Sequence, residues 1–376
     1  MTGALSKLSV SGFKSIRELK DFELGSLNIV IGANGAGKSN LIQLFRMLGA
    51  MAQLGLSTFV YERGGADSFC FNGPKETPKI TAELEFESCS EFAIGFNYYR
   101  FELRPTVDER FLINEYRKYL AGGTWHSYGP PSFESRLIEQ MYEKASLGTG
   151  YGIGHFVYET IANWTVYHFH DTSSNAPMKR MGAIYDNFKL RGDASNIAPL
   201  LLRLKQDSPE SYRDILNAVR LVTPFFEDFR LDVREMGEEK KVALSWKQKG
   251  SDFPMQAYHL SDGTIRFICL ATALLQPYPP STIIIDEPEL GLHPAAIYML
   301  AELIQATAKK TQVIVATQSP TLIDQFAIED IVVASRKNGA SCFERLKESN
   351  YTQWLEDYTV GELWAKNVIE GGPVCE

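Results

Sequence analysis

The chain has 376 residues, a formal net charge of −8 and an isoelectric point near 5.5. This acidic balance gives no general attraction to the phosphate backbone of nucleic acids, although it does not exclude a local basic patch. Hydrophobic residues make up 44% and aromatic residues 12% of the sequence, which excludes a largely disordered chain. The five cysteines contain no C-x-x-C pair, so neither a zinc ribbon nor a disulfide framework is indicated.

The N-terminal segment carries too much charge for a secretory signal. Seven charged side chains lie between residues 7 and 23, and they leave no apolar core of the kind that signal peptides have. No uninterrupted apolar stretch approaches the roughly 20 residues of a membrane-spanning helix. The sequence therefore predicts a soluble, cytoplasmic protein with no membrane partner.

The first part of the chain is rich in predicted strands. Strands are predicted at 5–13 and 16–24, and an apolar strand at 27–31 leads through a glycine-rich segment to a helix at 41–54. Regular alternation of apolar and polar residues at 80–87 indicates a strand with one face in water. Strands at 92–103 and 111–116 extend it into an antiparallel meander.

Beyond residue 119 the pattern loosens and then becomes regular again. The predicted elements of the middle region are a helix at 132–144, a flexible loop with glycines at 148, 150, 152 and 154, helices at 194–206 and 209–222, and a hairpin of 229–235 with 241–247. A helix at 265–275, a strand at 281–285, a helix at 295–309 and a strand at 312–316 follow. This order of strand, helix and strand implies parallel pairing. Short elements at 331–336 and 344–346 and a tail helix at 355–368 complete the chain.

The glycine-rich segment carries the clearest chemistry. Gly32, four residues and then Gly37-Lys38-Ser39 fit the pattern G-x-x-x-x-G-K-[ST], between a predicted strand and a predicted helix. Glycines in this pattern let backbone N–H groups close around nucleotide phosphates, and the positive end of the helix faces the same anion. Lys38 is expected to reach the β and γ phosphates, and the Ser39 hydroxyl to ligate Mg²⁺. The residues predicted to surround the nucleotide are Gly32, Ala33, Asn34, Gly35, Ala36, Gly37, Lys38, Ser39 and Asn40.

Two carboxylates follow a second apolar strand. Residues 283–285 are isoleucines, and Asp286 and Glu287 come at the carboxyl end of that strand. Asp286 would hold Mg²⁺, directly or through a water, together with Ser39. Glu287 points to the other side of the strand, so it is placed to orient or deprotonate the water that attacks the γ-phosphate.

A third segment, L-S-D-G-T at 260–264, precedes the helix at 265–275. In isolation Ser261, Asp262 and Gly263 are ordinary turn and helix-capping residues. Their meaning comes from their order, since they follow the phosphate loop and precede Asp286. They also begin a helix whose N-terminal end can face an anion.

The segment H-F-H at 168–170 raises the question of a metal site. His168 and His170 would share one face of a strand, which is compatible with metal ligation. No further cysteine or histidine lies close in sequence, so structural histidines are the favoured interpretation. Trp164, Tyr167 and Phe169 are likewise expected in the core rather than in a base-stacking platform.

Taken together, these motifs resemble the ABC-type ATPase heads of the SMC, RecF and OLD group. Within that group, G-F-K-S-I at 12–16, E-P-E-L-G-L-H-P at 287–294 and T-Q-S-P at 317–320 are similar to the bacterial AAA-type ATPases of the AAA_21 kind. The resemblance implies an α/β fold, a P-loop NTPase head of ABC type with an antiparallel β subdomain and a mixed, mainly helical insert. It implies two parts of the head at 1–104 and 245–376, with a lid or partner-docking insert at 105–244.

The resemblance also implies how the head works. ATP and Mg²⁺ bound at Lys38 of one subunit would be covered by Ser261 and Gly263 of a second subunit, giving a homodimer or a higher homo-oligomer that closes with ATP and opens after hydrolysis. Glu287 and Lys38 would be catalytic, with Gln318 in the place of a switch histidine. Gln318 can hydrogen-bond the γ-phosphate but cannot carry its charge, so slow turnover is expected.

Two features of the family are missing from this sequence, and a third has two interpretations. No glutamine lies between residues 53 and 140, so no Q-loop residue is assigned. The sequence has no heptads, so DNA tethering by long coiled-coil arms is not expected. Arg63 is either a basic contact near the nucleotide, as in SMC proteins, or a solvated loop arginine.

The leading hypothesis is an ATPase switch subunit of a bacterial defence or DNA-maintenance complex. The residues after 319 are too few for a nuclease domain, so a nuclease or toxin effector would be a separate chain. Two alternatives stay open. One is a nucleotide-gated scaffold or sensor with little turnover, and the other is a RecF-like DNA repair clamp, which would bind DNA in an ATP-dependent and salt-sensitive way.

Overall fold

The glycine-rich segment and the Asp286-Glu287 pair lie in two different structural units. The computed structural model describes residues 3–89, 94–144 and 152–369. The first unit contains the residues up to Trp164 and those from Ala327 onward, and the second contains the residues from Thr165 to Phe326. Both units mix helices and strands, so the predicted α/β class is confirmed.

The first unit begins with strands and short helices. Its elements up to Trp164 are β1 (Leu5–Phe13), β2 (Ile16–Glu23), β3 (Leu27–Ile31), α1 (Lys38–Met51), α2 (Leu56–Tyr61), β4 (Ile80–Cys89), β5 (Ile94–Pro105), β6 (Phe111–Tyr119), β7 (His126–Ser127) and α3 (Ile153–Ala162). All these strands except β3 form an antiparallel sheet in the order β2-β1-β4-β5-β6-β7. The predicted meander is confirmed, and its alternation buries Ile80, Ala82, Leu84 and Phe86 on one face.

The second unit contains the other candidate residues. Its elements are β8 (Thr165–Tyr167), β9 (Gly182–Ala183), α4 (Ile197–Asp207), α5 (Pro209–Val222), β10 (Phe226–Arg230), β11 (Val233–Met236), β12 (Glu239–Val242), β13 (Ser245–Gln248), β14 (Pro254–Gln256), α6 (Asp262–Leu275), β15 (Thr282–Asp286), α7 (Pro294–Ala308), β16 (Gln312–Thr317) and α8 (Pro320–Ile323). β15 pairs in parallel with β16, as predicted, and also with β8, which was not predicted. The three isoleucines of β15 are at most 1% exposed, as expected for a strand that is covered on both faces.

The chain then returns to the first unit. Its last elements are β17 (Ile331–Lys337), β18 (Ala340–Arg345), α9 (Thr352–Leu355) and α10 (Val360–Ala365). β17 pairs in parallel with β3 and antiparallel with β18. The strand before the phosphate loop therefore has a partner from the C-terminal part of the chain.

Several predicted elements need correction. The helix at 132–144 is wrong: Ser132 pairs with Ile113 in an isolated bridge, and a single 3-10 turn covers Ile138–Tyr142. The reason is the buried Glu115, whose carboxylate accepts hydrogen bonds from the Ser135 hydroxyl at 2.7 Å and from the Arg136 amide at 2.6 Å. These long-range bonds fix the backbone in a non-helical path despite the helical spacing of the apolar residues.

Smaller differences concern the glycine loop, the hairpin and the tail. Gly154 lies in helix α3 and Gly152 directly precedes it, while the glycines at 148 and 150 lie outside the described residues. The predicted hairpin is divided into two pairs, β10 with β13 and β11 with β12. The predicted tail helix is broken before α10, because Thr359 and Glu362 form a capping box that starts a new helix.

Two expectations about long helices can be compared with the described residues. In that part of the chain the longest helix is α7, with 15 residues, far shorter than a long coiled-coil arm. None of the described helices has both the length and the apolar character needed to cross a membrane.

Candidate functional site

The loop between β3 and α1 has the backbone of a phosphate cradle. Gly32, Gly35 and Gly37 have φ angles of 155°, 80° and 114°, in the region that favours glycine. A Cβ atom on Gly32 would lie 2.3 Å from the carbonyl oxygen of Ala334, and one on Gly37 would lie 2.1 Å from Ser341 Oγ. Strands β17 and β18 therefore press against the loop so closely that only glycine fits at these two positions.

Lys38 is folded back into this loop. Its side chain is almost buried, and its Nζ donates hydrogen bonds to the carbonyl oxygens of Gly32 at 2.5 Å and Ala33 at 3.1 Å. Helix α1 begins after Gly37 without a side-chain cap, which leaves its positive end for an anion. Ser39 is exposed on the first turn of α1, and Asn34 and Gly35 are exposed at the tip of the loop. The chemistry of this loop fits the phosphates of a nucleotide.

Three polar side chains next to the loop, those of Asn40, Ser15 and Ser341, are joined by hydrogen bonds. Asn40 Nδ2 donates to Ser15 Oγ at 2.6 Å, and Ser15 Oγ lies 2.6 Å from Ser341 Oγ. The Ser341 amide also donates to the Ser15 carbonyl at 2.7 Å. Asn40 was predicted to lie around the nucleotide, whereas no role was predicted for Ser341. Ser15 was visible only as part of the motif at 12–16.

The loop arginine Arg63 packs against an aromatic ring. Its guanidinium lies 3.9 Å from the centre of the Phe59 ring and donates to the Phe59 carbonyl at 3.2 Å. Lys14 lies over the Phe69 ring at 4.3 Å, and burial together with the nearby Arg63 lowers the pKa of the Lys14 ammonium. Arg63 is therefore held by Phe59, and a nucleotide contact for it stays a prediction.

In the second unit, Asp286 ends β15 beside two histidines. Its side chain is 13% exposed, and its Oδ2 lies 3.5 Å from His168 Nδ1. The Nε2 atom of His170 lies 3.1 Å from the carbonyl oxygen of Asp286, and the two imidazole rings are tilted by 37° with centres 3.8 Å apart. Burial and the neighbouring His168 lower the pKa of His170. Strand β8 ends at Tyr167, so both histidines lie in the loop after it, at the edge where Asp286 ends its own strand.

The structure agrees with only part of what was predicted for the segment around His168 and His170. The expected placement on a strand is wrong, whereas the expected burial of Trp164, Tyr167 and Phe169 in the core is confirmed. Within the described ranges, no group of three or more His, Cys, Asp or Glu side chains is arranged to hold a metal ion. The sequence signal that could have linked the histidines to Asp286 is the short apolar strand before them, a possible parallel neighbour of β15.

Glu287 has an unusual backbone and a specific partner. Its φ angle is +44°, a conformation that costs on the order of 1–3 kcal/mol for a residue with a side chain and that is concentrated at functional sites. Its amide donates to the Ala316 carbonyl at 2.8 Å, which fixes the turn after β15 to β16. Gln318 Nε2 donates to Glu287 Oε1 at 2.6 Å. The structure thus brings two of the predicted catalytic residues into direct contact.

A second carboxylate, Glu289, holds the other end of Gln318. Its Oε1 accepts hydrogen bonds from Thr317 Oγ1 at 2.6 Å and from the Gln318 amide at 3.1 Å. Its Oε2 is buried and has no hydrogen-bond partner among the described residues. Burial and the nearby Glu287 raise the pKa of this carboxyl. In the sequence, Glu289 is visible only as part of the motif at 287–294, and no role was predicted for it.

The segment at 260–264 forms the start of α6. Ser261 is the N-cap, and its exposed hydroxyl accepts a hydrogen bond from the Thr264 amide at 3.1 Å. Gly263 lies against the loop after β15, because a Cβ atom on it would lie 2.2 Å from the carbonyl oxygen of Gly291. The helix start is thus held close to the loop that begins with Asp286 and Glu287.

Solved structures share this fold over almost their whole length. An SMC head bound to the C-terminal winged-helix domain of ScpA has 16% identity and a TM-score of 0.60, with 93% of this chain and 99% of that chain covered. An SMC head with an extended coiled coil, bound to a ScpA domain and derived from Pyrococcus furiosus, has 15% identity and a TM-score of 0.58, with 94% and 99% covered. The SMC head from Pyrococcus yayanosii has 12% identity, the same coverage and a TM-score of 0.54. At these identities the likeness concerns the fold.

The sequence itself places the chain in a family. No protein of curated function matches it. The sequence model of the AAA_21 family, described as "AAA domain, putative AbiEii toxin, Type IV TA system", matches residues 27–125 and 155–324, more than half of the chain. The matched residues include the phosphate loop, the start of α6 and the turn after β15, and they support an ATP-binding NTPase function. With an SMC-head fold and this match, the chain belongs to the AAA_21 family of AAA domains.

Proposed function

We propose that this protein is an ATPase whose heads dimerise around ATP and separate after hydrolysis. The observation that carries the proposal is the hydrogen bond between Gln318 and Glu287, directly after Asp286. A strained glutamate that is held by a neutral amide donor is suited to orient a water molecule and to accept its proton. Membership of the AAA_21 family supports ATP as the ligand, and the glycine-rich loop has a backbone that fits its phosphates.

Each of the predicted site residues has its own role in the proposed reaction. Lys38 would leave its carbonyl partners and bind the β and γ phosphates, and Ser39 and Asp286 would hold Mg²⁺. The bound Mg²⁺ supplies positive charge that offsets the charge of the phosphates. Glu287 would orient the attacking water, and Gln318 would hold both Glu287 and the γ-phosphate. In a dimer, Ser261 and Gly263 would cover the nucleotide of the partner with the start of α6.

The assembly and its partners are inferred from relatives. The family description names a toxin of a toxin–antitoxin system, and two of the solved SMC heads are bound to a domain of ScpA. We therefore propose a role in bacterial defence or DNA maintenance, with a separately encoded nuclease or toxin. The head would consist of 1–104 and 245–376, and 105–244 would form a lid or a partner-docking region.

The test compares the wild-type protein with Glu287→Gln. The mass in solution is measured with and without Mg²⁺-ATP, and phosphate release is followed in parallel. The proposal expects ATP-dependent dimers in both proteins, with phosphate release reduced about 100-fold or more in the variant. Glu302→Gln is the matched control, because Glu302 is an exposed glutamate on α7. Assembly that ignores ATP in the wild-type protein would refute the proposal.

A second variant tests the role of the α6 start. Ser261→Arg places a long cation where the γ-phosphate of the partner's nucleotide would lie. We expect it to bind ATP with unchanged affinity and to remain a monomer. Dimers of this variant in the presence of ATP would show that α6 does not cover the nucleotide.

A nucleotide-gated scaffold is the second candidate function. The neutral Gln318 favours it, because a residue without charge gives less stabilisation to a developing negative charge than a histidine cation would. The scaffold predicts ATP-dependent assembly of the wild-type protein without phosphate release, and a Glu287→Gln protein that keeps its biological activity. ATP-dependent DNA binding that weakens with salt would instead favour a DNA clamp.

A further inference from the structure

A buried arginine, Arg266, joins three parts of the second unit. It lies on α6, five residues after Ser261, and is 7% exposed. Its Nε donates to the carbonyl oxygen of Phe169 at 2.9 Å, and its Nη2 donates to that of His170 at 3.3 Å. Its Nη1 donates to the carbonyl oxygen of Leu290. One guanidinium thus binds the loop after β8 and the loop after β15 at the same time.

Both of these loops lie directly beside the predicted catalytic groups. In the loop after β8, His168 and His170 contact the side chain and the carbonyl of Asp286. The loop after β15 begins with Glu287 and runs through Leu290 to Gly291, whose carbonyl lies against Gly263. A shift of Asp286 or Glu287 would therefore move carbonyl groups to which Arg266 is bound.

Arg266 is suited to transmit such a shift. Its planar guanidinium offers five N–H donors in a fixed geometry, so it cannot follow one loop without straining its bonds to the other. A buried guanidinium that loses a carbonyl acceptor is destabilised, because water does not replace the lost partner. This favours a concerted movement of Arg266 and the two loops. Arg266 lies in the first turns of α6, and Ser261 is the N-cap of the same helix, so the movement would reach the helix start.

We propose that Arg266 is a positioning residue that reports the nucleotide state of its own subunit to the α6 start, the surface that would bind the nucleotide of the partner. The inference rests on the proposed function and adds the route of coupling. A subunit whose own site is filled would present Ser261 and Gly263 in the geometry needed for dimerisation. A subunit with an empty site would not.

The test uses the full chain and a non-hydrolysable ATP analogue, adenylyl imidodiphosphate, with Mg²⁺. Hydrogen exchange is measured in the Ser261→Arg background, in which the protein is expected to stay monomeric, so that contacts from a partner do not contribute. With Arg266 present, the analogue should slow exchange in the phosphate loop and change it at residues 168–171 and 261–266. In Arg266→Met, the change in the phosphate loop should persist and the change at 261–266 should be lost.

Dimerisation provides the second readout, without the Ser261 change. We expect Arg266→Met to need at least about 10-fold more analogue for half-maximal dimer formation, while its affinity as a monomer changes less than about 3-fold. Arg220→Met is the matched control, since Arg220 is a half-buried arginine of the same unit that donates to the carbonyl of Glu227 at 2.9 Å. It should dimerise as the wild-type protein does.

The outcomes separate the two proposals. Wild-type protein that binds no analogue, or that does not dimerise with it, would refute the proposed function. Wild-type protein that dimerises, together with an Arg266→Met protein in which the exchange change still reaches 261–266, would refute the coupling alone. If Arg266→Met does not fold, exchange in the protein with Arg266 decides the question. Changes at 168–171 and 261–266 should then share one midpoint of analogue concentration, and separate midpoints would overturn the inference.

Discussion

The phosphate loop and the carboxylate edge around Asp286 are built by different means. The phosphate loop is a backbone structure, in which glycines with positive φ angles set the path of the chain and the Lys38 ammonium donates to backbone carbonyls of the loop. The carboxylate edge is a side-chain structure, in which Glu287, Gln318 and Glu289 hold one another by hydrogen bonds. Steric contacts of the backbone fix the geometry of the phosphate loop, and hydrogen bonds between side chains fix that of the carboxylate edge.

This difference predicts how each region responds to change. In the loop, a single added methyl group should disturb the structure itself, because the backbone has no room to adjust. At the carboxylate edge, an exchange of one polar group should leave the fold intact and alter the chemistry. The following variants test this contrast, from the largest expected effect to the smallest.

Lys38→Ala should have the largest effect on binding. Removal of the ammonium deletes the charge-assisted hydrogen bonds to the phosphates, and we expect ATP affinity to fall roughly 100-fold, or about 2.7 kcal/mol. Calorimetric titration with Mg²⁺-ATP measures it. Lys118→Ala is the matched control, because Lys118 is also buried and lies near a backbone carbonyl, that of Ala121 at 3.4 Å. Equal losses of affinity in both variants would contradict a specific role for Lys38.

Gly37→Ala and Gly35→Ala separate the two sources of constraint in the loop. Both residues have positive φ angles, so both variants pay about 1–2 kcal/mol of backbone strain. A Cβ atom meets Ser341 only at Gly37, since nothing lies within 4 Å of the Cβ position at Gly35. We expect the free energy of unfolding to fall by about 2.5 kcal/mol in Gly37→Ala and by about 1 kcal/mol in Gly35→Ala. Denaturant unfolding of the two variants should show this order, and equal losses would mean that β18 does not constrain the loop.

The same contrast explains what the sequence could predict. The nine residues predicted around the nucleotide are consecutive, and glycine spacing between a strand and a helix encodes their backbone locally. Asp286 and Glu287 were likewise visible at the end of an apolar strand. The hydrogen bond from His170 to Asp286 joins positions 116 residues apart and depends on the pairing of a strand of only three residues. A strand this short is only a weak local signal, and it does not specify its pairing partner.

The incorrect helix at 132–144 has the same origin. Its apolar residues have helical spacing, yet Glu115, about 20 residues earlier in the chain, binds the backbone of Arg136 and the hydroxyl of Ser135. A buried carboxylate that needs several donors outweighs a weak helix preference, since an unsatisfied buried charge costs more than one turn of helix contributes. The role of Arg266 could not be predicted for a related reason: its acceptors are backbone carbonyls, which every sequence contains.

Gln318→Ala tests the carboxylate edge. The variant removes the amide that binds Glu287, and we expect phosphate release to fall about 10-fold while ATP affinity changes less than about 3-fold and thermal stability is unchanged. Gln325→Ala is the control, because Gln325 Nε2 also donates within the second unit, to Thr321 at 3.2 Å. Single-turnover phosphate release together with equilibrium binding separates the effects. A loss of affinity that equals the loss in rate would place Gln318 in binding rather than in hydrolysis.

Glu289→Gln should have the smallest effect and a characteristic pH dependence. Burial raises the pKa of Glu289 in the folded protein above its usual value of 4.5. As the pH rises above 4.5, Glu289 loses its proton in the unfolded chain before it does so in the folded protein. The free energy of unfolding of the wild-type protein therefore falls until the pH has passed the folded-state pKa, and it stays lowered at neutral pH. Glutamine cannot ionise and keeps an oxygen for Thr317 and the Gln318 amide. We therefore expect Glu289→Gln to gain about 1 kcal/mol relative to the wild-type protein between pH 4 and pH 7 in denaturant unfolding. Glu302→Gln controls for the change in net charge. A difference in stability between variant and wild type that stays constant across this range would mean that folding does not shift the pKa of Glu289.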